Sequence, residues 1–195
     1  ALTEGSVDAW GALYMRDLVK VNGLEIGIAT ISFNIFMVLG RLSGDWIRDK
    51  IGVFFLIIFL FLSTIFSLII LINFNLVLNY PGVEDFLKML INNFHRLSFL
   101  TSQSLLAAIA FAFLGIGASS IVPIAYSLAG KIKGIDSGVG ITIISIAVYG
   151  TFIGAPASLG YIANNYGINN IFSPMLIVFI FLLIPLVFYR KKFSI

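Results

Sequence analysis

The chain has 195 residues, of which 59% are hydrophobic and 11% are charged. Soluble domains carry roughly 25% charged residues, so this composition excludes an ordinary soluble domain, and the apolar content excludes disorder. With no cysteine and one histidine, disulfide frameworks, thiolate metal sites and multi-histidine metal centres are excluded. The net charge of +3 is too small to indicate nucleic acid as a partner. The composition predicts an all-α protein embedded in a lipid bilayer.

Long uncharged stretches mark the membrane-crossing helices, because a span needs about 20 mostly apolar residues. Segment 1–15 is too short to cross alone, and because it begins with Ala we interpret it as the second half of a helix whose start is missing. The uncharged run 137–189 is divided by an Asn-rich turn at 164–170. Five complete spans are predicted, at 24–46, 53–74, 100–129, 138–163 and 170–189.

Basic residues predict the orientation of these spans through the positive-inside rule. Eight of them fall in loops on one side, namely Arg41, Arg48, Lys50, Lys131, Lys133, Arg190, Lys191 and Lys192. Four fall on the other side, namely Arg16, Lys20, Lys88 and Arg96. We expect the side with eight to be cytoplasmic, which places the C-terminus inside.

Segment 83–97 differs from the spans. Its apolar residues follow the spacing of one helical face, at Val83, Phe86, Leu87, Leu90, Ile91 and Phe94. Acidic residues open the segment, and His95 with Arg96 closes it, as the helix dipole favours. The pattern predicts a short amphipathic helix in the outer interface. It serves either as a packed external connector or as a lid over an outer vestibule, and we expect His95 to be solvated.

The partial first helix concentrates ionisable residues, which inside spans usually face a cavity or a partner. Glu4 and Asp8 are four residues apart, so they lie on one helical face. Two carboxylates that close in a low dielectric resist simultaneous ionisation, and a proton-coupling site requires this property. The alternative is that Asp8 is wetted at the interface or paired with Arg16, so that only Glu4 is buried.

Other polar and aromatic residues within the spans are candidates for contact with a small-molecule substrate. They are Trp10, Tyr14, Asn34, Ser119, Tyr126 and Tyr149. Asn34 lies near mid-depth, where it lines a cavity or hydrogen-bonds to a neighbouring helix. Ser119, Tyr126 and Tyr149 lie in helices rich in small residues, which border a cavity or pack closely.

Proline and hydroxyl residues are also predicted to shape the spans. Pro123 is expected to free a backbone carbonyl and bend its helix. Ser63, Thr64 and Ser67 are expected to return their hydroxyls to carbonyls of their own helix, so they carry little information about function.

A compact cluster of charges and glycines lies at 40–52, at the end of the span 24–46, which is the second when segment 1–15 is counted as the first. The cluster reads Gly-Arg-Leu-Ser-Gly-Asp-Trp-Ile-Arg-Asp-Lys-Ile-Gly. Glycines permit close helix approach and a sharp turn, and the acids can pair with the bases between them. We predict a tight cytoplasmic loop that acts as a latch, formed in one conformation and broken in another. Its members are Gly40, Arg41, Gly44, Asp45, Arg48, Asp49, Lys50 and Gly52.

This cluster resembles motif A of the major facilitator superfamily, in the variant where Gly-Arg-Leu-x-Gly-Asp precedes Asp-Arg/Lys-x-Gly. The string from Glu4-Gly5 through Trp10 and Tyr14 to Arg16-Asp17 is similar to the start of the C-terminal half in a bacterial subgroup of these transporters. Three features depart from that pattern: Ala9 separates Asp8 from Trp10, Val53-Phe54 replaces a basic pair, and 73–103 is longer than the usual connection.

The resemblance implies the C-terminal six-helix half of a secondary transporter, built as a 3+3 inverted repeat. It implies a missing N-terminal half as partner, a small-molecule substrate, alternating access, and proton coupling as one option, in a bacterial inner membrane. The second and fifth spans here would face the other half. We find no nucleophile–base pair, metal cluster or phosphate loop, so no enzyme activity, metal or cofactor is expected. The alternative is a non-transporting membrane scaffold or a half-length protein that dimerises.

Overall fold

The computed structural model describes residues 1–94, 97–132 and 134–188, and within these ranges every regular element is helical. His95 and five of the basic residues used for orientation lie outside them, namely Arg96, Lys133, Arg190, Lys191 and Lys192. The α-helices are α1 Leu2–Tyr14, α2 Ile28–Ile72, α3 Phe74–Leu78, α4 Val83–Asn93, α5 Ser102–Ser119, α6 Ile121–Ala129, α7 Ser137–Tyr166 and α8 Ser173–Phe188. A π-helical turn, Met15–Val19, extends α1, and 3₁₀ turns at Gly23–Gly27 and Ile168–Phe172 precede α2 and α8.

Helix α2 is interrupted at Gly52, whose backbone (φ 84°, ψ 158°) is not helical. Residues 28–51 form its first limb and residues 53–72 its second limb. The first limb runs parallel to α5, because its Phe33 lies against Gly115 and its Gly40 lies seven residues later against Ser119. The positive φ at Gly52 is the left-handed region that favours glycine.

The second limb of α2 runs in the opposite direction along α5. Ser67 Oγ donates to the carbonyl of Ala110, and Ser63 Oγ donates to the carbonyl of Phe113, each at 2.7 Å. The residue number in the second limb therefore falls as the number in α5 rises. The two limbs are antiparallel, and the chain reverses its direction at Gly52.

Four helical stretches in the described part of the chain are long and apolar enough to cross a membrane: Gly23–Ile72, Ser102–Ala129, Ser137–Tyr166 and Ile168–Phe188. The first of them contains both limbs of α2. These helices agree with the predicted helical membrane protein. The segment predicted as a tight loop at 40–52 is helical as far as Ile51, because Gly40 and Gly44 keep helical geometry and Gly52 alone interrupts it.

An aromatic cluster holds the end of the molecule opposite Gly52. Tyr14 is fully buried, and its ring meets those of Phe74, Phe111 and Phe172 edge to face, with centroids 5.4 to 6.2 Å apart. Its hydroxyl donates to the carbonyl of Leu71 at 2.7 Å. Tyr14 was predicted as a substrate contact, but a buried phenol with a satisfied hydroxyl belongs to the core.

Hydroxyl groups join the second limb to α5, which corrects one prediction. Ser63 and Ser67 donate across to α5 and not to their own helix, because both face the close helix contact. Thr64 behaves as predicted and donates to its own Leu60 carbonyl at 3.0 Å. Gly117 of α5 permits this close contact, because a Cβ at that position would collide with Thr64.

The predicted amphipathic segment forms α4, Val83–Asn93, which packs against α5. Leu87 is buried in the core on one side, whereas Phe86 and Met89 are exposed. Its length of about 16 Å is too short to cross a bilayer. Lys88 Nζ lies 2.8 Å from Glu84 Oε1, and this hydrogen bond raises the pKa of Lys88 above its ordinary value.

Candidate functional site

An ion pair joins α1 to the first limb of α2. Glu4 Oε2 lies 3.7 Å from Arg41 Nη2, and the two side chains are 28% and 43% exposed. The separation exceeds a hydrogen bond, so the contact is electrostatic and loosely held. The structure therefore brings together two residues that the sequence analysis assigned to different sites, Glu4 to proton coupling and Arg41 to the latch.

Arg41 lies inside the first limb, about 20 Å from Ile28 and about 15 Å from Ile51 by helical rise. Four further charged residues follow it in the same limb, namely Asp45, Arg48, Asp49 and Lys50. The apolar part of the limb, 28–40, therefore ends at Arg41. A charge at the edge of an apolar stretch is costly to bury unless it is paired or faces a cavity, and Glu4 supplies the pairing.

Pro123 prepares a second partner for Arg41. Proline has no N–H, so the carbonyl four residues earlier, that of Ser119, receives no helical hydrogen bond. Arg41 Nε donates to this carbonyl at 3.1 Å. The helix breaks next to it, at Ser120 (φ −112°, ψ −1°), which separates α5 from α6. The carbonyl that Pro123 is predicted to free lies at this break, and it accepts a hydrogen bond from Arg41.

Two glycines bring the first limb against this break. A Cβ on Gly40 would lie 2.5 Å from Ser119 Oγ, and a Cβ on Gly44 would collide with Ser120 Oγ. Ser120 Oγ in turn donates to the carbonyl of Gly40 at 3.4 Å. The backbone on both sides of Arg41 is thus fixed on the α5–α6 break, and Ser119 contributes through its backbone and its small volume.

The remaining charges of the predicted latch pair within the first limb. Arg48 Nη1 lies 2.9 Å from Asp45 Oδ1, and Arg48 Nη2 lies 3.3 Å from Asp49 Oδ1. Lys50 Nζ lies 3.8 Å from the centre of the Trp46 ring. In this conformation these charges support one helix end, whereas Arg41 belongs to the separate pair with Glu4.

The second acid of the first helix lies apart from the pair. Asp8 is exposed, whereas Glu4 is half-buried. Arg16 does not pair with Asp8, because it contacts Asp17 at 2.6 Å. That hydrogen bond lowers the pKa of Asp17 below its ordinary value. Of the two alternatives for Asp8, the structure agrees with exposure to solvent and not with pairing to Arg16.

Two further candidates are bonded to helix carbonyls. Trp10 Nε1 donates to the carbonyl of Pro156 at 3.3 Å and so ties α1 to α7. Asn34 Nδ2 donates to the carbonyl of Thr30 in its own helix at 2.9 Å, and not to a neighbouring helix.

The two remaining tyrosines differ in exposure. Tyr126 and Ser145 share a hydrogen bond of 3.1 Å between their hydroxyl oxygens, which links α6 to α7. Tyr149 is 67% exposed on α7. Neither contacts the Glu4–Arg41 pair directly among the contacts of the described residues.

Glu25 lies one residue after the start of the predicted span 24–46 and has a structural role. Its Oε1 accepts from the backbone N–H of Thr101 and from Ser104 Oγ, each at 2.7 Å. Thr101 and Ser104 also form a reciprocal capping box at the start of α5, as is typical of a helix start. No local sequence signal indicates the contact with Glu25, which lies 76 residues before Thr101. Across 1–94, 97–132 and 134–188, His, Asp and Glu side chains form no group of three that could hold a metal ion.

The chain is similar to two curated membrane proteins. One is membrane protein MosC of Rhizobium meliloti, 26% identical over 170 residues, which cover 87% of this chain and 35% of MosC. Another is an uncharacterised MFS-type transporter of Yersinia pestis, 26% identical over 162 residues, which cover 83% of this chain and 35% of that protein. The chain thus spans about a third of the length of the curated relatives it matches. No family model and no solved structure matches it.

Proposed function

We propose that this chain is the C-terminal six-helix half of a solute transporter of the major facilitator type. The similarity to an MFS-type transporter supports the class, and the 35% coverage of that protein supports a longer polypeptide. The other half would come from the same polypeptide. A small solute would bind between the halves and cross by alternating access. We place it in a bacterial inner membrane, and by the positive-inside rule its C-terminus would face the cytoplasm.

The observation that carries the proposal is the Glu4–Arg41 pair between α1 and the first limb. Charged side chains within membrane-crossing helices are rare, and they usually serve substrate or ion pathways. Here the pair joins two helices, and Arg41 also holds the carbonyl of Ser119 at the α5–α6 break. The guanidinium of Arg41 therefore contacts both the carboxylate of Glu4 on α1 and the backbone at the α5–α6 break.

Protonation of Glu4 would switch this junction. With Glu4 charged, its attraction to Arg41 holds α1 against the first limb. With Glu4 neutral the attraction is lost, while Arg41 keeps its bond to Ser119, so α1 is free to move relative to the bend. A proton taken up on one side of the membrane then biases which face of the cavity opens.

Glu4→Gln tests proton coupling in the full-length protein. A screen of radiolabelled solutes in cells, with and without a proton gradient, first identifies the solute. The variant should exchange that solute across the membrane at a normal rate but fail to accumulate it, because glutamine carries no titratable proton. Asp8→Asn is the matched control: it removes an exposed acid four residues away and should accumulate the solute as the wild type does.

Two outcomes would contradict the proposal. Full accumulation by Glu4→Gln at every external pH would exclude coupling through this residue. Failure of the folded full-length protein to move any solute in the screen would exclude transport and favour a membrane scaffold. Surface expression and a single gel-filtration peak show that each variant is folded.

The latch gives an independent test. Asp45→Asn removes the shorter of the two contacts of Arg48, so the cytoplasmic end of the first limb loses an interaction that should form and break during the cycle. We expect transport to fall about tenfold, which corresponds to roughly 1.4 kcal/mol, with membrane insertion unchanged. Initial uptake rates measure the effect against Asp8→Asn, and unchanged uptake by Asp45→Asn would show that no latch acts there.

A further inference from the structure

Helix α4 lies on one side of the membrane, because the helices before and after it both cross. Residues 73–82 join it to the second limb of α2, and residues 94–101 join it to α5. These neighbours belong to Gly23–Ile72 and Ser102–Ala129, which are long and apolar enough to span a bilayer. The 11 residues of α4 are too few to span it, since a crossing needs about 20. Its contact with α5 keeps it beside the bundle.

The burial of its side chains divides the surface of α4 into three sectors. The first packs against the core and consists of Val83, Leu87, Leu90 and Ile91. The second is polar and exposed and consists of Glu84, Asp85, Lys88 and Asn92. The third, here called the apolar flank, consists of Phe86 and Met89. At about 100° per residue, the flank lies between Leu90 of the core sector and Asp85 of the polar sector.

The apolar flank is open within the chain. Phe86 and Met89 are 53% and 50% exposed, and their spacing of three residues places them side by side. Asn93 follows in the same sector and ends the helix. Two more exposed aromatic residues, Tyr80 and Phe94, lie just before and just after α4. Helices that lie in a membrane interface have this pattern, with aromatic and apolar residues on one side and polar residues on another.

The apolar flank continues a surface that begins on the second limb. The large exposed side chains of that limb recur every three or four residues, so they form one stripe, namely Phe55, Phe59, Leu62, Phe66 and Ile69. A helix that crosses the membrane presents such a stripe to lipid. The next position in the series is Asn73, where the limb ends, and exposed apolar residues resume at Leu76 on α3. The lipid-facing surface therefore reaches the connection that carries α4.

We propose that α4 is an interfacial helix whose apolar flank contacts the acyl chains of the adjacent leaflet. Its core sector packs on the bundle, and its polar sector faces water. The polar sector holds two acids and one base, so anionic headgroups do not attract it and apolar contact supplies the affinity. Contact with lipid makes α4 an anchor that holds the start of α5 at a fixed depth, and not a mobile lid. The proposal requires membrane insertion of the chain and does not depend on transport.

Spin labels on single cysteines test the surroundings of α4 in the full-length protein. The chain contains no cysteine, and any cysteine elsewhere in the polypeptide is replaced by serine. Phe86→Cys and Met89→Cys place a nitroxide on the apolar flank. Asn92→Cys places one on the polar sector of the same helix and is the matched control. Each labelled protein is reconstituted into vesicles of phosphatidylethanolamine and phosphatidylglycerol.

Power saturation of the EPR signal compares collisions with oxygen, which concentrates in lipid, and with a nickel chelate, which stays in water. Both flank labels should collide more often with oxygen, at a depth of about 5–10 Å into the boundary between headgroups and acyl chains. The Asn92→Cys label should collide more often with the chelate. Replacing phosphatidylglycerol by phosphatidylcholine should leave the depth of the flank labels unchanged, because the contact is apolar.

Three results would overturn the proposal. Chelate collisions at both flank labels as frequent as at Asn92→Cys would place the flank in water. Rare collisions with both reagents would mean that protein covers it, from a second copy or from the rest of the polypeptide. A depth that decreases without phosphatidylglycerol would assign the contact to headgroup charge. If one flank variant aggregates in gel filtration, the other decides. None of these readouts measures transport, so they stand apart from the test of the proposed function.

Discussion

Helices α5 and α7 have similar compositions but different surroundings. Both are apolar and both contain glycines. Helix α7 has the length of a membrane span by itself, and α5 has that length together with α6. In Ser102–Ala129, 61% of the most apolar stretch is buried inside the chain, against 11% in Ser137–Tyr166. Composition alone therefore does not decide which small-residue helix is a packing surface.

The glycines show what separates the two helices. In α5 a Cβ on Gly117 would lie 2.8 Å from the carbonyl oxygen of Leu60 and 2.9 Å from the backbone nitrogen of Thr64. In α7 a Cβ on Gly154 would meet nothing within 4 Å, and Ile153 beside it is 80% exposed. At Gly117, α5 has its neighbour within this chain. At Gly154, α7 keeps a small residue on an open face, which under our proposal meets lipid or the second half, whereas other parts of α7 contact α1 and α6.

Gly117→Ala should have the largest effect on stability. Its methyl group would meet backbone atoms that cannot rotate away, and overpacking of this kind costs about 1–3 kcal/mol. Gly154→Ala is the matched control, and it should be neutral or stabilise by up to about 1 kcal/mol, because alanine favours the helix and no neighbour obstructs it. Unfolding of the purified chain in mixed micelles of increasing SDS content measures both changes.

Equal destabilisation by the two alanines would contradict the difference in packing between Gly117 and Gly154. It would mean that the open face of α7 is packed in the folded protein. A stabilised Gly117→Ala would show that α5 and the second limb are less closely packed than described above.

Ser67→Ala should have a smaller effect. It removes a buried hydrogen bond of 2.7 Å to the carbonyl of Ala110, and such interhelical bonds in membranes are worth about 0.6 kcal/mol on average. Ser158→Ala on α7 removes a hydroxyl that bonds only within its own helix, and it should change the unfolding midpoint in SDS very little. An equal shift in both variants would show that the bond between helices contributes nothing of its own.

The smallest expected effect concerns charge, and it asks whether the exposed ion pair on α4 stabilises that helix measurably. Because the hydrogen bond to Glu84 raises the pKa of exposed Lys88, its stabilisation is present below the ordinary pKa of lysine. It is lost as the pH rises through the raised value. Amide exchange in α4 should therefore be slightly faster in Glu84→Gln than in wild type near pH 8. The two should agree once Lys88 is deprotonated, and a difference that persists there would assign it to another cause.

Much of the helical pattern follows from the sequence, because long apolar runs interrupted by turn residues predict spans directly. The residues of the cluster at 40–52 stand out in the sequence, but the predicted tight loop is wrong, because the segment is helical as far as Ile51. Gly40 and Gly44 are read as turn residues from the sequence, whereas the structure uses them for close contact with Ser119 and Ser120 within a helix. A glycine permits both, and only the neighbouring helix decides.

The site was predictable in its parts and not in its assembly. Glu4, Arg41 and the carbonyl freed by Pro123 each carry a sequence signal, since charge and proline in a span are unusual. Their meeting depends on the rotation of three helices about their axes. The same rotation turned the hydroxyls of Ser63 and Ser67 toward α5. Local periodicity does not contain that information.

The reversal at Gly52 has a consequence for how the chain enters the membrane. A single residue joins the two limbs, so almost no chain entropy is lost in bringing them together. We expect residues 28–72 to partition into the bilayer during synthesis as one preformed hairpin, ahead of α5. With any β-carbon at position 52 the left-handed turn is disfavoured, and the same 45 residues then approach an uninterrupted rod of about 68 Å, more than twice the thickness of the hydrocarbon core.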